Sequence, residues 1–183
     1  LKNIVYQFGV PTFIHRNPGY CSLLKIIISQ QISVAAASSI WKRLEAGLET
    51  INPESILDAG PGKLSKLGIS HKKIHYATSL ATAVKTDHLN FARLALSSDE
   101  DVINCLTSIS GIGLWTAQIY LIFCLNRQDV WPNGDLALTH GLKILFSLRA
   151  SPDLKRKVKI TEGWKPWRSA AAILLWHFYN QAK

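Results

Sequence analysis

The sequence predicts an all-α fold. Apolar residues recur at helical spacing along most of the chain, no segment shows convincing strand alternation, and glycine, proline and capping residues interrupt the pattern at short intervals. In chain order, Cys21–Gln30 reads as one helix and Ser33–Ala46 as the next, with a break near Gln31 and Ile32. Pro53-Glu54 opens a short turn of helix that Gly60-Pro61-Gly62 interrupts, and Ser70 is placed to cap a helix over His71–Val84. Asp99, Glu100 and Asp101 put three acids where a helix dipole favours them, at the start of a helix to Ser108. A turn through Gly111-Ile112-Gly113 leads into an apolar helix over Leu114–Leu125. Trp131-Pro132-Asn133-Gly134 reads as an extended connector, and Asp135 as the N-cap of a helix to Leu148. Ser151-Pro152 opens a basic segment, and Trp167–Asn180 is the last helix. About ten short helices joined by short loops imply a compact helical fold.

Composition narrows the classes of partner. With 183 residues, 48% of them hydrophobic, the chain can bury a core and is not a disordered segment. Lys plus Arg exceed Asp plus Glu by 21 to 12, a formal charge of +9 that points to a polyanion, either nucleic acid or an anionic membrane face. The longest apolar stretches lie within Leu23–Ile28 and Ile119–Leu125, too short for a spanning helix. No secretory leader is expected, and with Leu1 in place of methionine the native start is expected upstream. Cys21, Cys105 and Cys124 lie far apart in apolar helical stretches with no Cys-x-x-Cys pair, so buried free thiols are expected rather than a zinc or iron–sulfur site. The six histidines share no ligand spacing.

The segment Leu106-Thr-Ser-Ile-Ser-Gly-Ile-Gly-Leu-Trp-Thr-Ala117 joins two helices through a turn with Gly111 and Gly113. Taken alone, it reads either as a plain helix–helix corner or as an anion site. In the second case the free N–H groups at the start of the second helix would hold a phosphate. By its place before an apolar helix, Asp135 reads as an N-cap. Trp115 and Trp176 read as core or as walls of a pocket, Trp41 as core, and Trp131, Trp164 and Trp167 remain open between the two.

Further segments weigh on these alternatives: Ile28-Ser-Gln-Gln-Ile-Ser-Val-Ala35, Gly68-Ile-Ser-His-Lys-Lys73, Asp129-Val-Trp-Pro-Asn-Gly-Asp135 and Trp164-Lys-Pro-Trp-Arg-Ser169. Together with the hairpin, and in this order, they resemble the helix-hairpin-helix (HhH-GPD) DNA glycosylases, in the 3-methyladenine DNA glycosylase II (AlkA-like) branch. The resemblance covers most of the chain. It departs at Ser110, where the family commonly has proline, and at Ile119, where it has a pocket tyrosine, although Tyr120 is adjacent.

The resemblance implies a single two-lobed helical domain over residues 1–183, with the hairpin 106–117 at the lobe junction. One lobe would comprise about 1–20 plus 127–183 and the other about 21–126. It implies a monofunctional enzyme that hydrolyses the N-glycosidic bond of alkylated purines in duplex DNA, flipping the base out and using Asp135 as the catalytic carboxylate. Breaking that bond builds positive charge on the sugar, which a fixed anion stabilises while orienting or deprotonating water. Bifunctional relatives carry a Schiff-base lysine where this chain has Trp115, so no lyase activity is implied.

Trp115, Ile119, Tyr120 and Trp176 would line the base pocket, where a cationic purine is attracted to aromatic faces. Gln31 would fill the gap left by the flipped base, and Ser33 occupies a position where some relatives probe the minor groove. DNA contacts would come from Gln30, Gln31, Ser33, Ser110, Gly111, Ile112, Gly113, Leu114, Lys165 and Arg168. His71-Lys-Lys73, Lys155-Arg-Lys157 and Lys159 would add electrostatic attraction without reading sequence.

No cofactor is implied. The backbone carbonyls of Thr107, Ile109 and Gly111 would bind a sodium or potassium ion at the hairpin. The implied partner of this monomer is double-stranded DNA, damaged or abasic, and no membrane. The implied location is intracellular, the nucleus in a eukaryote and the cytoplasm or nucleoid in a bacterium. Ile119 and Ser33 motivate one alternative, a glycosylase-like protein that binds abasic or damaged DNA with weak or no excision. A repair enzyme for mismatched or oxidised bases is disfavoured by the missing hairpin lysine and four-cysteine cluster.

Overall fold

The computed structural model describes residues 1–182. Eleven helices and no strand occur among the described residues. They are α1 Lys2–Phe8, α2 Tyr20–Ser29, α3 Val34–Gly47, α4 Pro53–Lys66, α5 His71–Lys85, α6 Phe91–Leu96, α7 Asp99–Thr107, α8 Leu114–Phe123, α9 Leu136–Leu145, α10 Leu154–Glu162 and α11 Arg168–Gln181. The chain divides into two compact units, one of Leu1–His15 with the chain from Leu121 onward, the other Arg16–Tyr120. The division points fall a few residues before the expected bounds of 20 and 126.

Side chains set most helix starts. The Ser33 hydroxyl accepts the Ala36 N–H at 3.2 Å, starting α3. Asn52 and Ser55 cap α4 reciprocally, with Pro53 in the first turn, where its missing N–H costs nothing. Asn90 accepts from Ala92 and Arg93 to start α6, and Asp153 accepts from Arg156 to start α10. Helices α1, α6 and α10 were not expected as elements. The segment after Gly60, expected to end the helix, instead resumes it: Gly60 takes φ 64° and Pro61 restarts the coil through Lys66. Ser70 begins α5 without a side-chain cap bond.

In the Arg16–Tyr120 unit, α2 packs on α3 and α5, and α4 lies along α5. Leu23, Leu24, Ile26, Ile27 and Ile28 are all buried, so α2 turns a wide apolar face to the core of this unit and only a narrow stripe through Cys21 and Lys25 to water. Trp41 is buried as expected for core, with Lys25 Nζ 4.4 Å from its ring centroid.

In the other unit α11 packs on α9 and α1. Its core comprises Ile4, Trp131, Leu138, Leu142, Ala171, Ala172, Leu175 and Phe178. Gly141 lets α9 approach α11 closely, since a Cβ there would lie 2.9 Å from Leu175 Cγ. Phe8 meets Phe178 edge-on at 5.7 Å, and its carbonyl lies 2.8 Å from His177 Nε2. Trp131 and Trp164 meet at 5.5 Å, so both staple this unit, whereas Trp167 is exposed.

Of the three cysteines only Cys124 is buried. Cys105 is half-buried, and Cys21 is exposed with its thiol on the Ile51 carbonyl, because it lies on the face of α2 opposite the core. No described helix is long and apolar enough to cross a membrane. Replacing Leu24 with alanine opens a cavity in the centre of α2's unit and is expected to cost about 2–5 kcal/mol. A urea denaturation midpoint measures the loss.

Candidate active site

The carboxylate and the hairpin belong to different units, and each is built locally. Asp135 follows a turn closed by its own N–H on the Pro132 carbonyl at 3.0 Å, and it caps α9. Its Oδ1 accepts the Leu138 N–H at 2.8 Å and the Trp176 indole N–H at 3.1 Å. The residue is 8% exposed. A buried carboxylate needs such donors, and they fix its orientation. The Trp176 ring stacks on Phe123 at 5.7 Å, and Phe123 on Phe13 at 6.0 Å, which makes a column of rings ending at the carboxylate's partner.

The connector leading to Asp135 is tied down along its length. Arg168 grips Asp129 in a fork, Nε to Oδ1 at 2.7 Å and Nη2 to Oδ2 at 2.9 Å. The Ser169 hydroxyl accepts the Val130 N–H at 3.0 Å, and Lys157 Nζ donates to the Asn133 carbonyl at 2.7 Å. Arg168, expected at the DNA, spends Nε and Nη2 on this charge-assisted fork with Asp129. Lys165 is exposed and paired with Glu162 at 2.7 Å. Lys157 serves the connector rather than a solvated basic face.

In the hairpin, Gly111 takes φ 88° and presses on Tyr76, where a Cβ would fall 2.1 Å from the ring. Gly113 differs: its φ is ordinary and nothing lies within 4 Å of its would-be Cβ. Packing does not demand a glycine there, and the backbone stays open to an approaching group. Gly113 accepts the Ala117 N–H at 3.1 Å, so α8 starts here with its first-turn N–H groups lacking partners within the helix. Leu114 is exposed, Ser110 is exposed with its hydroxyl 3.1 Å from His75 Nε2, and Ile112 is buried, so only its backbone can meet DNA.

Gln30, expected at the DNA, instead donates from Nε2 to the Gly111 carbonyl and the Thr116 hydroxyl, both at 3.0 Å. A half-buried amide needs such partners, and the hairpin supplies them. Gln31 beside it is exposed in the left-handed region at φ 57°. Ser33 is exposed, but its hydroxyl is occupied by the α3 cap.

Of the expected base-pocket residues, Trp115 and Trp176 are half-buried. Ile119 is buried. Tyr120 is fully buried, its hydroxyl accepting the Gly19 N–H at 3.0 Å and its ring 6.2 Å from Phe91. Tyr120 therefore packs as core in place of forming a pocket wall. Tyr76 and Phe123 were missed, and the parts played by Thr116 in the hairpin and Lys157 in the basic cluster were not foreseen, because each acts through a partner distant in sequence. Among the described residues no group of three or more His, Cys, Asp or Glu is placed to hold a metal ion.

The family model described as "HhH-GPD superfamily base excision DNA repair protein" matches residues 24–168. The chain belongs to this superfamily. It is 35% identical over 180 residues to DNA-3-methyladenine glycosylase 1 of Schizosaccharomyces pombe, covering 96% of this chain and 79% of that protein. The alkylbase DNA glycosidase-like protein mag2 of the same yeast is 29% identical, over 86% of this chain and 76% of its own. The structure of the S. pombe 3-methyladenine DNA glycosylase Mag1 in complex with abasic DNA superposes with a TM-score of 0.85. It is 31% identical and covers 96% of this chain and 88% of the other.

Gly111→Ala is expected to lower the thermal midpoint, because the added methyl meets both the Tyr76 ring and a left-handed φ, whereas Gly113→Ala leaves the midpoint near the parent's. Gly113→Ala is also expected to weaken duplex binding if the open backbone is a phosphate site, which a fluorescence-anisotropy titration reads. The Arg168 guanidinium holds the Asp129 carboxyl below the usual carboxylate range. A depressed folded-state pKa gives stability that is present above the unfolded value of about 4 and is lost as pH falls through the folded one. Thermal melts from neutral to acid pH are expected to show this loss in the parent and a flatter profile in Asp129→Asn.

Proposed function

We propose that this chain is a monofunctional DNA glycosylase that removes alkylated purines, of the 3-methyladenine and 7-methylguanine type, from duplex DNA by base flipping. Asp135 is its catalytic carboxylate. The single observation that carries the reading is the buried Asp135, fixed by the Leu138 N–H and the Trp176 indole within a connector braced on three sides. The relative named DNA-3-methyladenine glycosylase 1 supports the substrate class.

In this reading the bond between C1′ and the purine nitrogen breaks and its electron pair leaves with the base. Alkylation at N3 or N7 has made that base cationic, so it departs neutral without a strong general acid. Water attacks C1′, and the Asp135 carboxylate stabilises the positive sugar and takes the water's proton. An aromatic face such as that of Trp176 or that of Trp115 attracts a cationic extruded base. Trp115 stands where a Schiff-base lysine would be needed, so the product is an abasic site in an uncut strand.

Gln31 fills the vacated stack. Ser110, Gly111, Ile112, Gly113 and Leu114 present backbone to a phosphate, and the exposed lysines add attraction that reads no sequence. The protein acts as a monomer, one glycosylase domain over residues 1–183, in the nucleus or nucleoid. Hydrolysis needs no cofactor. The Ile109 carbonyl already accepts the Ile112 N–H and the Gly111 carbonyl the Gln30 amide. Each keeps a second lone pair, which with Thr107 suits a sodium or potassium ion, and no chemical step passes through that ion.

One observation favours a second reading, binding of abasic or damaged DNA with weak or no excision. The Ser33 hydroxyl is spent on the α3 cap and leaves no side chain to interrogate the minor groove. Released 3-methyladenine and 7-methylguanine, quantified from methylated duplex DNA, separate the two. The parent is expected to release both, and Asp135→Asn to slow release by about 10²–10⁴-fold, the contribution of a positioned general base. No release by either protein, with tight abasic-DNA binding by both, establishes the second reading.

A further inference from the structure

The motif Gly68–Lys73 takes no part in the chemistry above, yet its last residue is unusually placed. Lys73, in the first turn of α5, is half-buried, and its ammonium is turned onto two backbone carbonyls. Nζ lies 2.6 Å from the Ile28 carbonyl and 2.8 Å from the Gln30 carbonyl. These carbonyls end α2, where the helix leaves its last oxygens without intrahelical partners and the dipole favours a cation. Burial lowers the Lys73 pKa below its ordinary value, the direction expected when an ammonium exchanges water for carbonyls.

What the two carbonyls flank is the turn at Gln31. Gln30 leaves the helix at φ −58° and ψ 131°, and Gln31 then enters the left-handed region at φ 57°. A residue with a side chain keeps that conformation only where its surroundings impose it. Two restraints meet at the preceding residue. Lys73 holds the Gln30 carbonyl, and the Gln30 amide is anchored to Gly111 and Thr116 of the hairpin segment.

We propose that Lys73 is a positioning residue for strand intercalation. By clamping both carbonyls at the end of α2 it holds Gln31 in its left-handed geometry, and through Gln30 it sets that residue against the hairpin. The inference rests on the reading of this chain as a base-flipping protein that fills the vacated stack with Gln31. It removes Lys73 from the set of phosphate-attracting lysines and gives its charge a structural target.

Four proteins test it: the parent, Lys73→Met, Lys73→Gln and Gln31→Ala. Intercalation is read from 2-aminopurine placed opposite an abasic-site analogue, which responds to insertion without excision. Single-turnover release of 7-methylguanine, the salt dependence of abasic-duplex binding and the thermal midpoint are recorded alongside. Lys73→Met is expected to lose intercalation signal and to excise about tenfold to a hundredfold more slowly, as when a reacting group loses its alignment. Its salt slope is expected to match the parent's, because no phosphate contact is removed, whereas loss of such a contact lowers the slope by about one. Lys73→Gln, which keeps one donor, is expected to fall between parent and Lys73→Met, and it carries the test if Lys73→Met does not fold. Normal intercalation in both folded Lys73 variants with impairment in Gln31→Ala overturns the clamp and leaves the glycosylase reading intact. A salt slope lowered by about one with intercalation unchanged also overturns it, in favour of a phosphate contact. If the parent releases no base yet intercalates in a Lys73-dependent way, the glycosylase reading fails and the clamp stands.

Discussion

One oxygen of one carboxylate organises the unit built from the two ends of the chain. Oδ1 of Asp135 caps α9 through the Leu138 N–H and holds the Trp176 indole of α11. A helix start, a helix crossing and an aromatic column thus share a single acceptor. Burying that carboxylate is tolerable because these donors satisfy it, and the connector that delivers it is itself held by Arg168 on Asp129, Ser169 on Val130 and Lys157 on Asn133. Residues that look like surface charge in the sequence are in this way spent on geometry.

The hairpin unit follows a similar logic with neutral groups. Tyr76 under Gly111 fixes the turn from one side, and the Gln30 amide fixes it from the other. Gly111 is a glycine because something is already there, and Gly113 is one without any internal neighbour that requires it. The two glycines of one short motif therefore answer to different constraints, one set by the fold and the other by whatever approaches from outside.

Much of this was legible from the sequence, and the failures have physical causes. The helices around Leu23–Ile28, the acid-led α7 and the Asp135 cap were readable, because periodicity and capping are local properties. Helices α6 and α10 were missed although Asn90 and Asp153 are good caps. One helix is very short, and the other carries so many charged residues that it reads as a basic surface segment. The restart at Pro61 was hidden because proline reads as a stop, yet at a helix start its missing N–H costs nothing. The resemblance assigned Arg168, Gln30 and Tyr120 to DNA or base. Each also has a partner far away in the chain, Asp129, Gly111 and the Gly19 N–H, which no spacing rule reports.

On the proposed reading Asp135 both caps α9 and serves the chemistry, which bears on how such a chain can diverge. An asparagine at a helix start accepts the same N–H about as well as an aspartate, so the architecture tolerates exchange of the acid for its neutral amide. The hairpin turn and the apolar core are drawn from other residues. Chemistry is therefore the most separable property of this molecule. A lineage could abandon turnover through a single base change and keep a fully folded sensor of damaged strands.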